Sequence, residues 1–410
     1  MHVAIDPGLV ERYLLDLARY GAYGETGVWR TVYTPEWVAA QQQVAAWCAE
    51  AGLAVRRDAV GNLVGRLEGT AGGKVIASGS HLDSQAPGGR YDGALGIVGA
   101  LVALRALKEQ FGPPRRPLEL LAFCEEESSR FAATNFWGSR AITGMIGPEE
   151  PATVVGYDGV PVGEAMRAVG LDPVRTPEAR RDDIAAFIEL HIEQGPLLEE
   201  AGRPLGIVTA ITGLRHYLVE LGGRADHAGA RPMDTRRDPM LGAAEIVVGA
   251  VGTATMMGRP AVTTVGRLLV APNLAAAVPE RVTLVVDARH PDAARRAELY
   301  ARHEALFQEV ATRRHLDLTW RVTANHEPCP CDPGLVQLLE ATARDLGIPA
   351  LSLSSGAAHD TQRMATIAKV AMVFVQSQGG RSHTPAEYTT IEDATRGVEV
   401  LAAALHALAY

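Results

Sequence analysis

Four short, mostly apolar runs recur along the chain, and each is bounded by glycine, proline or charged residues. They occupy residues 75–80, 118–123, 185–190 and 370–375. Runs of this length and composition are typical of strands that are buried on both faces of a parallel sheet. The sequence therefore predicts an α/β fold whose main domain is built on a mostly parallel sheet.

A different pattern lies between the third and fourth runs. It predicts six elements in the order β-α-β-β-α-β, which are a strand at 214–221, a helix at 240–257, strands at 262–270 and 281–289, a helix from 291 to 314 and a strand at 316–324. This order is the ferredoxin-like pattern. We therefore expect an inserted domain at residues 213–328, within a discontinuous catalytic domain made of residues 1–212 and 329–410. Two neighbouring chain crossings would also suit a hinge.

Five side chains of metal-binding types follow the four runs. They are His81, Asp92, Glu127, His191 and His383. Ligands of open α/β sheets bind beyond the carboxyl ends of the strands, and the first three runs lead into His81, Glu127 and His191 at that end. Three imidazoles and two carboxylates exceed the ligand set of one tetrahedral ion, whereas two ions that share a bridging carboxylate leave room for a polarised water. The pattern therefore predicts a two-metal hydrolase site.

Two further carboxylates lie next to these ligands. Glu126 is adjacent to Glu127 but is not needed as a ligand, so we expect it to be the general base that accepts a proton from the attacking water. Asp83 is two residues from His81, and metal-bound imidazoles normally donate their second N–H to a carboxylate. We therefore expect Asp83 to hold the His81 ring.

These assignments have simpler alternatives. His81 and Asp83 could be satisfied polar residues at a strand end, and residues 125–127 could be a solvated acidic turn. The other ligand motifs favour a metal site, because three like charges after an apolar strand are costly without cations nearby. Cys124 has no histidine motif beside it to act as its base, so a buried strand cysteine is the better interpretation.

Composition and net charge exclude several classes of protein. The chain has 410 residues, of which 47% are hydrophobic, so it can bury a large core. A net charge of −9 argues against nucleic acid or an anionic membrane surface as the main partner. The apolar stretch at 93–104 is too short to span a bilayer, and the first twenty residues lack a signal-peptide pattern. The four cysteines form no disulfide framework, so we expect a cytoplasmic protein with a small-molecule ligand.

Several short motifs together resemble one known family. In chain order they are HLDS at 81–84, PGGRYDG at 87–93, EESSRF at 126–131, HIEQGP at 191–196, DHAG at 226–229, SGAAHD at 355–360 and SHTPAE at 382–387. This set is similar, over nearly the whole chain, to the hydantoinase/carbamoylase family of binuclear amidohydrolases. That family includes N-carbamoyl-L-amino acid hydrolases, β-ureidopropionases, and ureidoglycolate and allantoate amidohydrolases.

The resemblance implies a homodimer built through the inserted domain, which would serve as a lid. It also implies two divalent ions per subunit, Zn²⁺ or Mn²⁺, with Co²⁺ or Ni²⁺ possible in vitro. His227 of the lid would reach the active site of the partner subunit and stabilise the oxyanion. Arg289 would bind the substrate carboxylate through its planar fork. Further substrate contacts are expected from Gln194, Asn273, Gly356 and His359.

The implied reaction is hydrolysis of the terminal ureido or amide C–N bond of an N-carbamoyl-L-amino acid or similar ureido acid, with release of ammonia and carbon dioxide. The chain departs from the family pattern at Ala276, where an asparagine is usual, and at Ser128 and Ala358, where glycine is usual. The metal set is untouched, but the substrate stays open. An allantoate or ureidoglycolate amidohydrolase is the first alternative. An N-acyl amino acid deacylase or peptidase, or a non-catalytic binding protein, follows.

Overall fold

The computed structural model describes residues 2–410. Its strands are, in chain order, β1 (Ala22–Tyr23), β2 (Gly27–Val28), β3 (Ala54–Arg57), β4 (Leu63–Leu67), β5 (Val75–His81), β6 (Leu118–Phe123), β7 (Ile184–Ile192), β8 (Leu205–Ile211), β9 (Gly213–Gly222), β10 (Asp226–His227), β11 (Val262–Ala271), β12 (Ala277–Val278), β13 (Arg281–His290), β14 (Asp317–His326), β15 (Cys329–Pro330), β16 (Ala350–Ser355) and β17 (Lys369–Val375).

The α-helices are distributed among these strands along the chain. They are α1 (Pro7–Ala18), α2 (Pro35–Glu50), α3 (Ala94–Phe111), α4 (Trp137–Ile142), α5 (Glu150–Thr153), α6 (Val162–Ala168), α7 (Leu197–Ala201), α8 (Pro239–Met257), α9 (Ala293–Arg313), α10 (Pro333–Asp345), α11 (Thr361–Met364) and α12 (Ile391–Ala409). Short 3₁₀ helices occur at Pro173–Ala179, Met233–Thr235 and Gln378–Gly380. The predicted α/β class is confirmed.

The large sheet has the strand order β15-β8-β17-β7-β5-β6-β4-β3, and β16 pairs with β8. The four strands β17, β7, β5 and β6 are mutually parallel, and they are the four apolar runs of the sequence. The pairs β17–β8, β8–β15, β6–β4 and β4–β3 are antiparallel. The sheet is therefore mixed: its four central strands are parallel, and antiparallel strands extend both edges.

Close packing at the centre of this sheet explains the composition of the runs. Every residue of β5 and of β6 is buried, and α3 packs on β5 with an unbroken buried stretch at residues 94–104. Gly79 of β5 has a φ of 155°, and a Cβ at this position would lie 1.8 Å from the carbonyl oxygen of Leu121. Only glycine permits this approach of the two strands.

The chain divides into two compact units. The first contains the chain up to Thr209, Cys331–Leu353 and Ala357–Tyr410, and the second contains Ala210–Pro330 and Ser354–Gly356. The second unit has a four-stranded antiparallel sheet of order β11-β13-β9-β14. Its longer elements follow the chain order β9-α8-β11-β13-α9-β14, and the two-residue strands β10 and β12 lie between them. Alternate residues of β13 face a core shared with α8 and α9, which explains the period of two.

Helix α8 is long and apolar enough to cross a membrane, judged by length and composition alone. Its buried face, which includes Gly242, Ala243, Ile246 and Ala250, belongs to the core of the second unit. Core helices of globular domains meet the same criterion, so this helix is weak evidence for a membrane span.

Candidate metal centre

The predicted metal ligands lie at one edge of the parallel strands in the first unit. His81 is the last residue of β5, and His191 is the penultimate residue of β7. Glu127 lies just beyond β6, and His383 lies in the loop that follows β17. Asp92 precedes α3. Parallel strands present their carboxyl ends at the same edge, so residues far apart in the chain meet there.

The carboxylate of Asp92 belongs to two groups of candidate ligands. Its Oδ1 lies 3.2 Å from His81 Nε2 and 3.1 Å from His191 Nε2. Its Oδ2 lies 3.5 Å from His383 Nε2, which is also 3.4 Å from Glu127 Oε2. Within each group the potential ligand atoms all lie within 4.8 Å of one another. The geometry thus provides two adjacent clusters that share one carboxylate.

Divalent cations fit this arrangement of charges. The Glu127 side chain is 5% exposed, and its buried Oε1 has no hydrogen-bond partner within residues 2–410. Burial raises the pKa of Glu127, and the neighbouring Asp92 carboxylate raises it further. Burial also raises the pKa of Glu126. An unsatisfied carboxylate oxygen among crowded carboxylates is the environment that a cation stabilises.

The structure assigns Asp83 a role that differs from the expected one. His81 Nδ1 lies 2.9 Å from the backbone oxygen of Asp83 but 3.9 Å from the nearer carboxylate oxygen, so the ring is held by the main chain. The buried carboxylate instead accepts the backbone N–H of Glu126 at 3.2 Å and that of Glu127 at 3.1 Å. Asp83 therefore positions the expected base and an expected metal ligand together.

Two glutamine side chains contact the candidate ligands. Gln194 Nε2 donates to Asp92 Oδ2 at 2.8 Å, although the sequence suggested a contact with substrate. Gln85 Nε2 donates to Glu127 Oε2 at 2.7 Å. The sequence analysis did not predict Gln85, because a glutamine in a loop carries no pattern of its own. Its place directly after the motif at 81–84 was the only available signal.

His359 is buried next to the candidate ligand His191. The residue is 1% exposed, and its ring centre is 4.7 Å from that of His191 in an edge-to-face arrangement. Burial lowers the pKa of His359, and the nearby His191 lowers it further. His359 also belongs, with Glu189 and His191, to a third group of candidate ligand atoms. Its contact with substrate stays a prediction.

The expected lid residues belong to the second unit. Arg289 is held by a forked ion pair with Asp287, with Nη2 2.8 Å from Oδ2, and its Nη1 donates to the carbonyl oxygen of Gly356 at 3.0 Å. His216 Nε2 lies 3.0 Å from the same Asp287 carboxylate. The sequence analysis left His216 without a role. Its cross-strand register with Asp287 places it there.

His227 is exposed and lies on β10, paired with Ala277 of β12. Its Nδ1 lies 3.0 Å from the backbone nitrogen of Gly229 and 3.1 Å from that of Ala230, so it accepts both hydrogen bonds. A neutral imidazole that accepts at Nδ1 carries its proton at Nε2. His227 therefore presents a hydrogen-bond donor, which an oxyanion contact requires.

Backbone conformation bears on the residue type at two of the positions discussed above. Asn273 is exposed and has a φ of 57°, in the left-handed region that asparagine tolerates. Ser128, which replaces a glycine, has a φ of 52°. The usual glycine there is thus explained by backbone conformation.

Comparison with known proteins identifies the relatives of this chain. Peptidase family M20/M25/M40 matches residues 77–407. The chain belongs to this family. Within it, the chain is 41% identical over 391 residues to an N-carbamoyl-L-amino acid amidohydrolase of Geobacillus stearothermophilus, covering 95% of each chain. It is 38% identical over 399 residues to an allantoate amidohydrolase of Bacillus subtilis (strain 168), covering 97% of each.

A solved structure gives the same result. The crystal structure of an amidase of the hydantoinase/carbamoylase family from Burkholderia multivorans has a TM-score of 0.90 and 32% sequence identity, and the match covers 99% of this chain and 98% of that one. The resemblance predicted from the motifs is confirmed, and so is the class, a metal-dependent amidohydrolase.

Proposed function

We propose that the protein hydrolyses the terminal ureido or amide C–N bond of an N-carbamoyl-L-amino acid or similar ureido acid. The observation that carries this proposal is the position of Asp92, whose two oxygens face two different groups of candidate ligands. A shared carboxylate between two cations is the arrangement used for water-dependent cleavage at two-metal sites. The names of the relatives support the substrate class.

The proposed metals are two divalent ions per subunit. His81 and His191 would hold one ion, Glu127 and His383 the other, and Asp92 both. Imidazole and carboxylate ligands suit Zn²⁺ and Mn²⁺, and Co²⁺ or Ni²⁺ can replace them in vitro. When bound, the ions would supply the Lewis acidity that activates water and polarises the scissile carbonyl.

The side chains of the protein would move the protons. Glu126 takes a proton from the attacking water and returns it to the leaving nitrogen. Asp83 fixes the backbone at Glu126 and thereby the direction of that transfer. For a ureido acid, R–NH–CO–NH₂ and water give R–NH₂, carbon dioxide and ammonia, so atoms balance without a further reactant.

The second unit would act as the lid and the dimer interface. Its β-α-β-β-α-β order supports a ferredoxin-like domain, close to the predicted 213–328. His227 would donate its Nε2 proton to the oxyanion in the active site of the partner subunit. Arg289 would bind the substrate carboxylate, and Asn273 and Gly356 would line the same subsite. The dimer would act in the cytoplasm, without a nucleic-acid or membrane partner.

Allantoate hydrolysis is a second candidate. The allantoate amidohydrolase relative is 38% identical to the chain, close to the 41% of the carbamoylase relative. Ala276, where an asparagine is usual, also changes a polar contact of the substrate subsite. Loss of one such contact in a desolvated pocket alters discrimination by at least an order of magnitude.

A hydrolysis screen tests the proposal. The protein is loaded with Mn²⁺ or Zn²⁺ and assayed for ammonia release from N-carbamoyl-L-amino acids, N-carbamoyl-D-amino acids and allantoate, with amine release measured for N-acyl amino acids. The highest kcat/KM is expected for an L-ureido acid. Preference for N-acyl amino acids would overturn the proposal in favour of a deacylase, and activity absent in wild type and in Glu126→Gln alike would favour a binding protein.

A further inference from the structure

Glu387 is a buried carboxylate that lies behind two of the candidate metal ligands. The residue is 3% exposed and belongs to the same loop as His383. It is too well enclosed to meet substrate, and the proposed reaction gives it no proton to transfer. Its side chain nevertheless contacts the candidate ligand Asp92 and residues beside the candidate ligands.

The two oxygens of Glu387 join different parts of the chain. Oε1 accepts the backbone N–H groups of Tyr91 and Asp92, both at 3.0 Å. Oε2 accepts the hydroxyl of Ser382 at 2.8 Å. The Ser382 oxygen also lies 2.9 Å from Asp92 Oδ2. The contacts therefore form a closed ring that runs from the Asp92 backbone through Glu387 and Ser382 to the Asp92 carboxylate.

The loop that precedes Asp92 is shaped to admit this side chain. A Cβ on Gly89 would lie 2.1 Å from Oε1 and 2.5 Å from Cβ of Glu387. These contacts involve the Glu387 stem as well as its carboxylate, so rotation of the side-chain end would not relieve them. Gly89 and Glu387 thus form a fitted pair across the two loops.

The location of this ring of contacts determines which group of candidate ligands it affects. The side chain of His383 is 50% exposed, whereas that of Asp92 is 4% exposed. Asp92 takes part in both ligand groups, whereas His383 belongs only to the group with Glu127. A tie between the Asp92 and His383 loops therefore acts mainly on that group, while His81 and His191 are fixed within buried strands.

We propose that Glu387 is a positioning residue that sets the spacing of the Asp92–Glu127–His383 group and thereby its affinity for a divalent ion. The inference rests on the proposed two-metal site. Groups that orient metal ligands typically change metal affinity 10–100-fold when they are removed. In Glu387→Ala we expect the dissociation constant of the more weakly bound ion to rise about 10–100-fold. The dissociation constant of the other ion should change less than threefold.

The experiment is a titration of chelator-treated protein with Mn²⁺, followed by calorimetry and by elemental analysis. Glu387→Gln keeps an amide oxygen for the Tyr91 and Asp92 amides, so it should recover most of the affinity that Glu387→Ala loses. Ser382→Ala removes only the link to the second oxygen and should fall between the two. Gly89→Ala should reproduce the loss from the other side of the contact.

Glu193→Ala is the matched control. Glu193 is also a buried carboxylate, lies two residues from His191 and accepts two backbone N–H groups, those of Leu197 and Leu198, but it contacts no candidate ligand. Circular dichroism of each metal-free variant verifies folding. Two ions bound by Glu387→Ala with wild-type constants would overturn the proposal, as would equal loss of both ions in Glu387→Ala and Glu193→Ala. Binding of a single ion by wild type would instead refute the two-metal site itself.

Discussion

Replacement of Asp83 by asparagine separates the observed role of this carboxylate from the expected one. Asparagine has the same shape but keeps a single acceptor oxygen. The His81 ring is bonded to the backbone oxygen of residue 83, which the substitution leaves in place. The carboxylate contacts with the amides of Glu126 and Glu127 are the ones that change. We therefore expect Glu126 and Glu127 to be disturbed while the His81 ring keeps its contact with the backbone.

The contacts of the Asp83 carboxylate determine how much stability and activity the substitution should remove. One of the two buried amides would face the new NH₂ group and lose its acceptor, which costs about 1–3 kcal/mol, and the other loses a charge-assisted bond, which costs about 1 kcal/mol. Burial raises the pKa of Asp83, so removal of this charge offsets part of the loss. The expected net loss in unfolding free energy is about 1–3 kcal/mol. A base displaced by about 1 Å should lower kcat about 10²-fold.

The control is Asp332→Asn. Asp332 also accepts two backbone amides, those of Gly334 and Leu335, but it uses one oxygen for both, at the partly exposed start of α10. Its other oxygen pairs with the exposed Lys369, and such surface ion pairs contribute about 0–1 kcal/mol. Asparagine caps helices as well as aspartate does, so the change should stay below about 1 kcal/mol. Urea denaturation of the metal-free proteins, elemental analysis and kcat are measured for both variants. A wild-type kcat in Asp83→Asn would refute the assigned role.

Substitutions at five other positions separate base, ligand, partner and carboxylate contacts. Glu126→Gln should lower kcat by about 10²–10⁴-fold with both ions retained, and Glu127→Gln should lose one ion. Mixing His227→Ala with Glu126→Gln subunits should restore about a quarter of wild-type activity by symmetric pairing, whereas no recovery would place both groups in one chain. Arg289→Lys should recover little of the activity that Arg289→Ala loses on carboxylate substrates, measured as kcat/KM. The pKa of Asp287 is lowered to about 2 because its bonds to basic partners outweigh burial, so Asp287→Asn should be less stable at pH 7, with the difference lost as the pH falls from about 4 to 2.

The central strands could be predicted, and the metal ligands proposed, because their signals are local. Each apolar run is contained within one strand. His81 and His191 follow such runs directly, and Glu127 lies four residues beyond one. The antiparallel edges were not predicted, since pairing of β8 with β17 joins segments whose own composition does not specify a partner.

The supporting contacts could not be read from the sequence. Glu387 contacts the Asp92 amide across 295 positions of the chain, and Asp83 contacts Glu126 across 43. Such bonds depend on how loops are placed by the finished sheet. The sequence indicated that Asp83 would accept a hydrogen bond, but it did not indicate the donor. His81 Nδ1 lies 2.9 Å from the backbone oxygen of Asp83 and 3.9 Å from its carboxylate, and a difference of this size is set by the folded structure.

The central claim is that Asp92 bridges two metal ions at the site of amide hydrolysis. Anomalous diffraction from crystals of the active, Mn²⁺-loaded protein tests it most directly. Two peaks per chain are predicted, about 3.5–4 Å apart, one beside each oxygen of Asp92. A single peak in protein of full activity, or two peaks with Asp92 bound to neither or only one, would contradict the account.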